Sequence, residues 1–351
     1  MALAEQKALF LLTKNGEFAV QDTPVPVPGP GEVLARVEAA ALNPLEWKIQ
    51  APGVYQEFVQ YPAILGSDAA GVVEQVGEGV TNVQKDDKIV WQGMLKNARG
   101  TFQRYALVPG ARAVRIPPNV SLDEAASIPL ALGTAFVALF NKKLAGGAEL
   151  TPFWQVPAPY DGQPFVVLGG STSVGQFVIQ LAKVSGFSPI IATASERHTD
   201  YLKSLGATHV LSRSLPADSL RAEVLKITPD SIKIAYDAVS TADTQKVGWS
   251  LVAPGGQFVV VLAPPDGVVH GQDGKELVWV KGNLSFKELE EDEAGRELYA
   301  HLGQWLRDGS IKPNRVQVIP GGLPAIPAGL ELLRQDKVSG VKLVVHPQEV
   351  A

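Results

Sequence analysis

Apolar residues recur along the chain in two different patterns, which predict two parts of different fold. In the first part, short apolar runs are separated by turns rich in glycine and proline, such as Pro28-Gly29-Pro30-Gly31. The runs that predict strands are 33–39, 71–76, 88–91 and 102–108. Short strands separated by such turns favour a partly open barrel or a strongly bent sheet.

The second pattern begins near residue 121, where helices join the strands. Ser121 and Glu124 have the spacing of a capping box, which predicts the start of a helix. Regular alternation of strands and helices then indicates a parallel sheet with helices on both faces. The predicted strands are 165–168, 189–193, 209–211, 232–237 and 257–262, and the predicted helices include 173–185 and 199–205.

The C-terminal tail does not continue this alternation. Two more predicted strands, 316–319 and 341–345, flank a helix at 325–335, and the parallel sheet has no place for them. We therefore expect the tail to return to the first part of the chain. The predicted domains are a β-rich one of residues 1–129 and 306–351 and a central doubly wound one of residues 130–305.

Length and charge restrict the function. A chain of 351 residues exceeds one typical hydrophobic core, in agreement with two domains. The chain has a net charge of −5 and no stripe of basic residues, so we do not expect nucleic acid as a partner. No apolar run approaches the ~20 residues of a membrane span, and the N-terminus lacks the pattern of a secretory signal. We expect a cytoplasmic protein with no membrane partner.

Cysteine is absent, which excludes disulfides and any zinc or iron–sulfur site built on thiolates. The histidines show no pairing at the spacings of metal ligands on a helix, and none stands beside an acidic cluster. They are His198, His209, His270, His301 and His346. We therefore expect no metal site.

A glycine-rich loop between a predicted strand and a predicted helix has the context of a dinucleotide-binding motif. Glycines there allow a tight turn and let backbone amides approach a pyrophosphate at the helix N-terminus. The motif departs from the usual pattern because Thr172 occupies the position of its middle glycine. The predicted cofactor-binding residues of the loop are Gly170, Ser171, Thr172, Ser173, Val174 and Gly175.

Residues after the next strand bear on the choice of cofactor. An NAD site usually carries an acidic residue there, about 20 residues after the glycines. Here Ser195 and Arg197 follow the strand, and Arg213 follows the one after it. Guanidinium groups match phosphate oxygens, so these residues favour the 2′-phosphate of NADPH over NADH. The alternative, which Glu196 supports, is that they are solvated loop residues.

Four segments resemble the medium-chain dehydrogenase/reductase superfamily, in the right order and over nearly the whole chain. They are Ala41–Lys48 (ALNPLEWK), Leu65–Gly77 (LGSDAAGVVEQVG), Gly100–Tyr105 (GTFQRY) and Ala125–Pro129 (AASIP). The resemblance implies a bent β-barrel catalytic domain of the GroES-like type, formed from both termini, and a central Rossmann domain.

The resemblance also points to the zinc-free branch of that superfamily. Zinc-dependent members carry a cysteine near position 43 and Gly-His-Glu where this chain has Gly66-Ser67-Asp68. The Asn43-Pro44 motif, the glycine-rich loop and the C-terminal segment are most similar to fungal trans-acting enoyl reductases of polyketide pathways. The resemblance implies an NADPH-dependent reductase that acts on the activated double bond of an enoyl thioester or α,β-unsaturated carbonyl compound, with a polyketide synthase as its partner.

The resemblance implies roles for individual residues. Lys48 is expected to orient cofactor or substrate, with a surface lysine as the alternative. Tyr55 is the candidate proton donor, with solvent as the alternative source of the proton; a phenol donates without being charged. Asn43, Thr134, Leu262 and Lys342 are expected near the cofactor, although Lys342 also fits a charge on a strand surface. Asp68 is expected to be a structural hydrogen-bonding group.

Two other functions remain open at this point. One is an NADPH:quinone reductase, with an aromatic slot instead of an acyl groove; the insertion around Phe153 and Trp154 fits either pocket. The other is a catalytically idle NADPH-binding protein with a regulatory or structural role, because fold alone does not establish turnover. The apolar segment 276–280 predicts an edge strand, which favours a homodimer.

Overall fold

The computed structural model describes residues 5–51, 55–280 and 292–349. Its strands are β1 Glu5–Leu11, β2 Phe18–Pro24, β3 Glu32–Ala41, β4 Ala63–Ile64, β5 Asp68–Val76, β6 Lys88–Gln92, β7 Tyr105–Pro109, β8 Val114–Arg115, β9 Phe165–Leu168, β10 Ile190–Ala194, β11 His209–Ser212, β12 Ile234–Asp237, β13 Gln257–Val260, β14 Glu276–Trp279, β15 Val316–Val318 and β16 Lys342–Val345.

Its α-helices are α1 Pro44–Gln50, α2 Leu122–Ala126, α3 Pro129–Phe140, α4 Ser173–Val184, α5 Thr199–Leu205, α6 Ala217–Ile227, α7 Ala242–Leu251, α8 Glu293–Asp308 and α9 Ile326–Arg334. The chain forms two compact units. The first comprises Met1–Leu130, Asn283–Gly309 and Pro313–Ala351, and the second comprises Ala131–Gly282 and Ser310–Lys312.

The first unit is organised around strand β3. This strand pairs antiparallel with β5, β7 and β16, and its residues are mostly buried. Two register shifts in the β3–β5 ladder, at Leu34/Ala35 and at Val37/Ala39, bend the sheet. The C-terminal strands extend the same sheet, because β15 pairs with β16. The observed bend agrees with the curved sheet expected from the short strands.

The second unit contains, within its described residues, a parallel sheet of strand order β11-β10-β9-β12-β13-β14. This is the order of the Rossmann arrangement, in which the connections reverse direction between β9 and β12. The central strands β9, β10 and β12 are buried on both faces, as their continuous apolar runs indicate. Strand β14 lies at the edge of this sheet and pairs with β13.

Two of the differences between the structure and the sequence prediction concern β7 and the C-terminal domain boundary. The predicted strand 102–108 is shorter, since β7 begins at Tyr105, while Phe102 is buried in the core of the first unit. The predicted domain boundary at residue 306 falls inside α8, and the contacts of this helix assign it to the first unit. The apolar face of α8 includes Leu298, Leu302 and Leu306, which are buried.

None of the helices in the described ranges has both the length and the apolar character needed to cross a bilayer.

Gly71 provides a test of the tight pairing between β3 and β5. A Cβ atom at this position would lie 1.9 Å from the carbonyl oxygen of Arg36, which is backbone and cannot rotate away. We expect Gly71→Ala to lower the free energy of unfolding by about 1–3 kcal/mol, the usual effect of overpacking. Urea denaturation followed by circular dichroism measures this.

Gly303 in α8 offers the matched control. A Cβ there would meet its nearest neighbour, Val114 Cγ1, at 3.5 Å, an ordinary contact. Gly303→Ala should therefore raise the free energy of unfolding by about 0.5–1 kcal/mol, because alanine has less conformational freedom to lose in a helix. Equal effects of the two substitutions would contradict the close approach at Gly71.

Candidate functional site

The loop between β9 and α4 has the geometry of a phosphate-binding turn. Gly169 adopts a positive φ of 75°, which favours glycine. Thr172 caps α4, with its Oγ1 accepting a hydrogen bond of 2.9 Å from the amide of Gly175. At Gly175 a Cβ would lie 2.3 Å from the carbonyl oxygen of Gly169. The loop therefore closes tightly only with glycine at these two positions.

Backbone amides of this loop divide into two groups. Those of Gly169 and Gly170 donate to Thr193 on β10, to its Oγ1 at 3.0 Å and its carbonyl at 2.9 Å, which fixes the loop against the sheet. Those of Ser171 and Val174 have no hydrogen-bond partner within the described part of the chain. Unpaired amides at a helix N-terminus form a site for an anion. All six predicted loop residues lie together here.

The residues expected to select the cofactor lie at neighbouring strand ends. Strands β10 and β11 pair in parallel, and the amide of Arg213 donates to the carbonyl of Ala194 at 2.9 Å. Ser195 and Arg197 follow directly after β10, so the backbones of both segments emerge side by side. Arg197 and Arg213 are exposed, and neither forms an ion pair with a residue that the structure describes. Glu196, also exposed, adds one negative charge.

Thr134 and Leu262 lie on other elements of the second unit. The carbonyl of Thr134 in α3 accepts a hydrogen bond of 3.5 Å from the hydroxyl of Tyr236 on β12. Leu262 follows the end of β13 and is 38% exposed. Its neighbour Val261 donates to Ser240 Oγ at 2.9 Å, which ties this segment to the end of β12.

The aromatic insertion is anchored on α3. Trp154 stacks on Phe136 with 5.0 Å between ring centroids, and Phe153 meets Phe140 edge-on at 5.8 Å. Such pairs stabilise beyond the area that they bury. The insertion is thus packed against the helix rather than projecting as an unattached loop.

A buried polar cluster occupies the first unit. Lys342 Nζ lies 2.9 Å from Asp68 Oδ2, and the two side chains are 3% and 0% exposed. The Asn43 side chain joins them: its Nδ2 donates to Asp68 Oδ2 at 2.9 Å, and its Oδ1 accepts from Lys342 Nζ. Asp68 Oδ1 also accepts the amide of Leu130 at 2.6 Å. We call Asn43, Glu46, Asp68 and Lys342 the buried cluster.

Strand pairing explains why these distant residues meet. Asp68 begins β5 and Lys342 begins β16, and both strands pair with the end of β3, where Ala41 lies opposite Asp68. Asn43 follows β3 by two residues and caps α1. The alternative prediction for Lys342, a charge on a strand surface, is wrong, because its side chain is buried. Asp68 accepts hydrogen bonds, as expected of it.

Glu46 is the member of the buried cluster that sequence reasoning did not single out. It is fully buried, and its Oε2 accepts the amide of Asn43 at 2.8 Å. Burial, and next the nearby Asp68, raise the pKa of its carboxyl to about 7, although Lys342 and Ser67 oppose the rise. The available signal was its place as third helical residue after Asn43, the spacing of a capping box.

Lys48 and Tyr55 lie in the first unit but outside the hydrogen bonds of the buried cluster. Lys48 is on α1, with its Nζ 5.6 Å from the centre of the Trp47 ring, and burial lowers the pKa of its ammonium group. Tyr55 is half-buried, and burial followed by the charge of Glu57 raises the pKa of its phenol. The phenol therefore keeps its proton at neutral pH.

Comparison with known proteins identifies the family. The family model described as alcohol dehydrogenase GroES-like domain matches residues 29–118, and the one described as zinc-binding dehydrogenase matches residues 173–282. Dehydrogenase azaJ of Aspergillus niger is 33% identical over 347 residues, covering 95% of this chain and 96% of that protein. The chain belongs to the medium-chain dehydrogenase/reductase superfamily.

Further comparisons agree with membership of this oxidoreductase superfamily, whose members bind nicotinamide cofactors. The enoyl reductase component lovC of the lovastatin nonaketide synthase, from Aspergillus terreus, is 30% identical and covers 97% of this chain and 96% of that protein. The quinone oxidoreductase of Coxiella burnetii has the same fold, with a TM-score of 0.73 at 24% identity over 97% of this chain and 99% of that one.

This superfamily member has a different residue set where zinc-dependent members carry metal ligands. The side chains present are the amide of Asn43 and the hydroxyl of Ser67, beside the Asp68–Lys342 ion pair. Among the residues that the structure describes, no group of three or more histidine, aspartate or glutamate side chains is arranged to hold a metal ion.

The raised pKa of Glu46 predicts a dependence of stability on pH. Between about pH 4.5 and 7 the folded state binds this proton more tightly than the unfolded state, so the contribution of Glu46 to stability falls as the pH rises. Glu46→Gln mimics the protonated acid and removes this effect. Relative to the wild type, we expect the free energy of unfolding of the variant to increase by up to about 3 kcal/mol as the pH rises from 4.5 to 8.

Urea denaturation at several pH values measures this difference. Glu124→Gln is the control, since Glu124 has the same capping position on α2 but lies at the surface. A difference between Glu46→Gln and the wild type that does not change with pH would contradict a protonated, buried Glu46.

Proposed function

We propose that this protein is a zinc-independent, NADPH-dependent reductase that transfers hydride to the activated carbon–carbon double bond of an enoyl thioester or a similar unsaturated carbonyl compound. The observation that carries the proposal is the make-up of the buried cluster. The amide of Asn43 is not a usual zinc ligand, and the buried ammonium of Lys342 repels a cation and already pairs with Asp68. Ser67, next to the cluster, offers a hydroxyl, which is not a usual zinc ligand either.

The glycine-rich loop fits the pyrophosphate of a dinucleotide. The unpaired amides of Ser171 and Val174 would donate to its oxygens, and the positive end of α4 favours the negative charge. The lack of room for a Cβ at Gly175 keeps the loop backbone close to the helix start. These features support a dinucleotide as the cofactor, at the end of β9 where Rossmann sheets bind one.

The residues after β10 and β11 favour a 2′-phosphate. Arg197 and Arg213 would contact it with charge-assisted hydrogen bonds, and Ser195 would add a hydroxyl donor. The two guanidinium groups outweigh the single carboxylate of Glu196, so a phosphate ester is preferred over a free ribose hydroxyl. This supports NADPH rather than NADH.

Reduction of a double bond beside a carbonyl needs a hydride, polarisation of the carbonyl and a proton. Bound NADPH would supply the hydride. Without a metal, polarisation depends on hydrogen-bond donors or a cation, and Lys48 supports this role through its position on α1. Tyr55 would supply the proton to the α-carbon, because its phenol stays protonated at neutral pH.

The relatives support a proposal for the substrate class and the partner. The lovC protein is named as the enoyl reductase component of the lovastatin nonaketide synthase, and its similarity covers nearly the whole chain. This supports an acyl thioester as substrate, and we propose that a synthase of this kind presents it.

A spectrophotometric assay tests the proposed reaction. We expect the purified protein to oxidise NADPH at 340 nm with crotonyl-CoA faster than with 1,4-benzoquinone or an aldehyde, and Lys48→Ala to lower the rate. A preference for benzoquinone would instead establish a quinone reductase. Binding of NADPH without turnover of any acceptor would indicate a catalytically idle binding protein.

Cofactor preference provides a second test. We expect Arg197→Ala and Arg213→Ala each to raise the KM for NADPH by about ten- to a hundredfold, since each removes a charge-assisted hydrogen bond. The KM for NADH should stay unchanged, because NADH lacks the 2′-phosphate. Glu196→Gln is the control, and it should leave or improve the preference for NADPH. An equal rise in the KM for NADPH and the KM for NADH would contradict the assignment of Arg197 and Arg213 to the 2′-phosphate.

A further inference from the structure

One buried amide holds the segment that carries Tyr55. Gln56 is 9% exposed, and its Nε2 lies 3.0 Å from the carbonyl oxygen of Ile49 and 2.9 Å from that of Ala51. The same nitrogen lies 2.5 Å from Asn15 Oδ1, in the turn between β1 and β2. This single group therefore connects the end of α1, the β1–β2 turn and the Tyr55 segment.

The backbone of Tyr55 needs such a constraint. Its φ of 59° and ψ of 9° lie in the left-handed region, which is unfavourable for a residue with a Cβ. The short 3₁₀ helix Gln56–Phe58 follows at once, closed by a hydrogen bond of 3.1 Å from the amide of Phe58 to the carbonyl of Tyr55. Conformations of this kind persist where their surroundings fix them.

We propose that Gln56 is a positioning residue for Tyr55: its side-chain amide fixes the 55–58 segment on α1 and so sets the direction of the Tyr55 phenol. The catalytic consequence rests on the proposed function, whereas the positioning itself does not. Because the amide faces three acceptor oxygens, only a donor of its size serves the position. Leucine removes the N–H donor from these acceptors, and a glutamate of the same shape presents oxygens instead of N–H groups.

Gln50 provides a matched control on the same turn. Its Nε2 donates to the carbonyl of Gly16 at 2.9 Å, so it also joins α1 to the β1–β2 turn. Its hydrogen bond does not involve the 55–58 segment. Gln50→Leu thus removes a similar tether that holds a different segment to α1.

Steady-state kinetics with crotonyl-CoA test the catalytic consequence. Gln56→Leu and Gln56→Glu should each lower kcat by about ten- to a hundredfold, the usual effect of misplacing a reacting group, while the KM for NADPH stays unchanged. Gln50→Leu should keep the kcat of the wild type. In a Tyr55→Phe background, Gln56→Leu should cause little further loss, since both changes act through the same phenol. Additive effects, or equal losses in the Gln50 and Gln56 variants, would overturn the proposal.

A measurement independent of activity separates this proposal from the proposed function. With 3-fluorotyrosine incorporated at position 55, the fluorine resonance should shift or broaden in Gln56→Leu and stay in place in Gln50→Leu. An unchanged resonance in Gln56→Leu would overturn the positioning role whether or not the enzyme reduces enoyl thioesters. A changed resonance in a protein that reduces no enoyl thioester would contradict the proposed function alone.

Discussion

The ion pair between Lys342 and Asp68 is the interaction on which the first unit depends most. Two charges removed from water are costly unless their geometry and their remaining hydrogen bonds compensate. Here Asn43 bonds to both partners, and the amide of Leu130 satisfies the second oxygen of Asp68. Loss of one partner would leave a buried charge uncompensated, which is strongly destabilising in proteins.

The same interaction links stability to chemistry. It fixes the ends of β3, β5 and β16 together, and α1 begins beside it with Asn43. Helix α1 carries Lys48 and, through the Gln56 amide, positions the segment of Tyr55. The residues proposed for polarisation and proton donation are therefore supported by a buried ammonium group, at the positions where zinc-dependent relatives carry metal ligands.

Much of this arrangement was predictable from local sequence. The strand–loop–helix context of residues 165–185 predicts the phosphate loop, because glycine requirements and helix capping depend on near neighbours. The buried cluster is harder to predict from the sequence. Lys342 and Asn43 are separated by 299 residues, so only strand pairing reveals that they meet. Glu46 was overlooked because a glutamate in a first helical turn usually lies at the surface, where capping is its whole role.

Two further features depended on tertiary contacts. Helix α8 belongs to the first unit because its apolar face packs there. An amphipathic sequence predicts that one face of a helix is buried, but it does not predict which domain buries that face. Gln56 has an ordinary polar side chain in a short 3₁₀ helix, and its three acceptors come from two other segments, the β1–β2 turn and the end of α1. A sequence pattern carries no signal for such a contact.

The most direct test of the proposed hydride transfer is a turnover with NADPH deuterated at the reactive face of nicotinamide C4. The product of crotonyl-CoA reduction is then analysed by NMR. We expect a saturated thioester with deuterium at the β-carbon and a proton of solvent-exchangeable origin at the α-carbon. Oxidised cofactor with no deuterium at the β-carbon would contradict it.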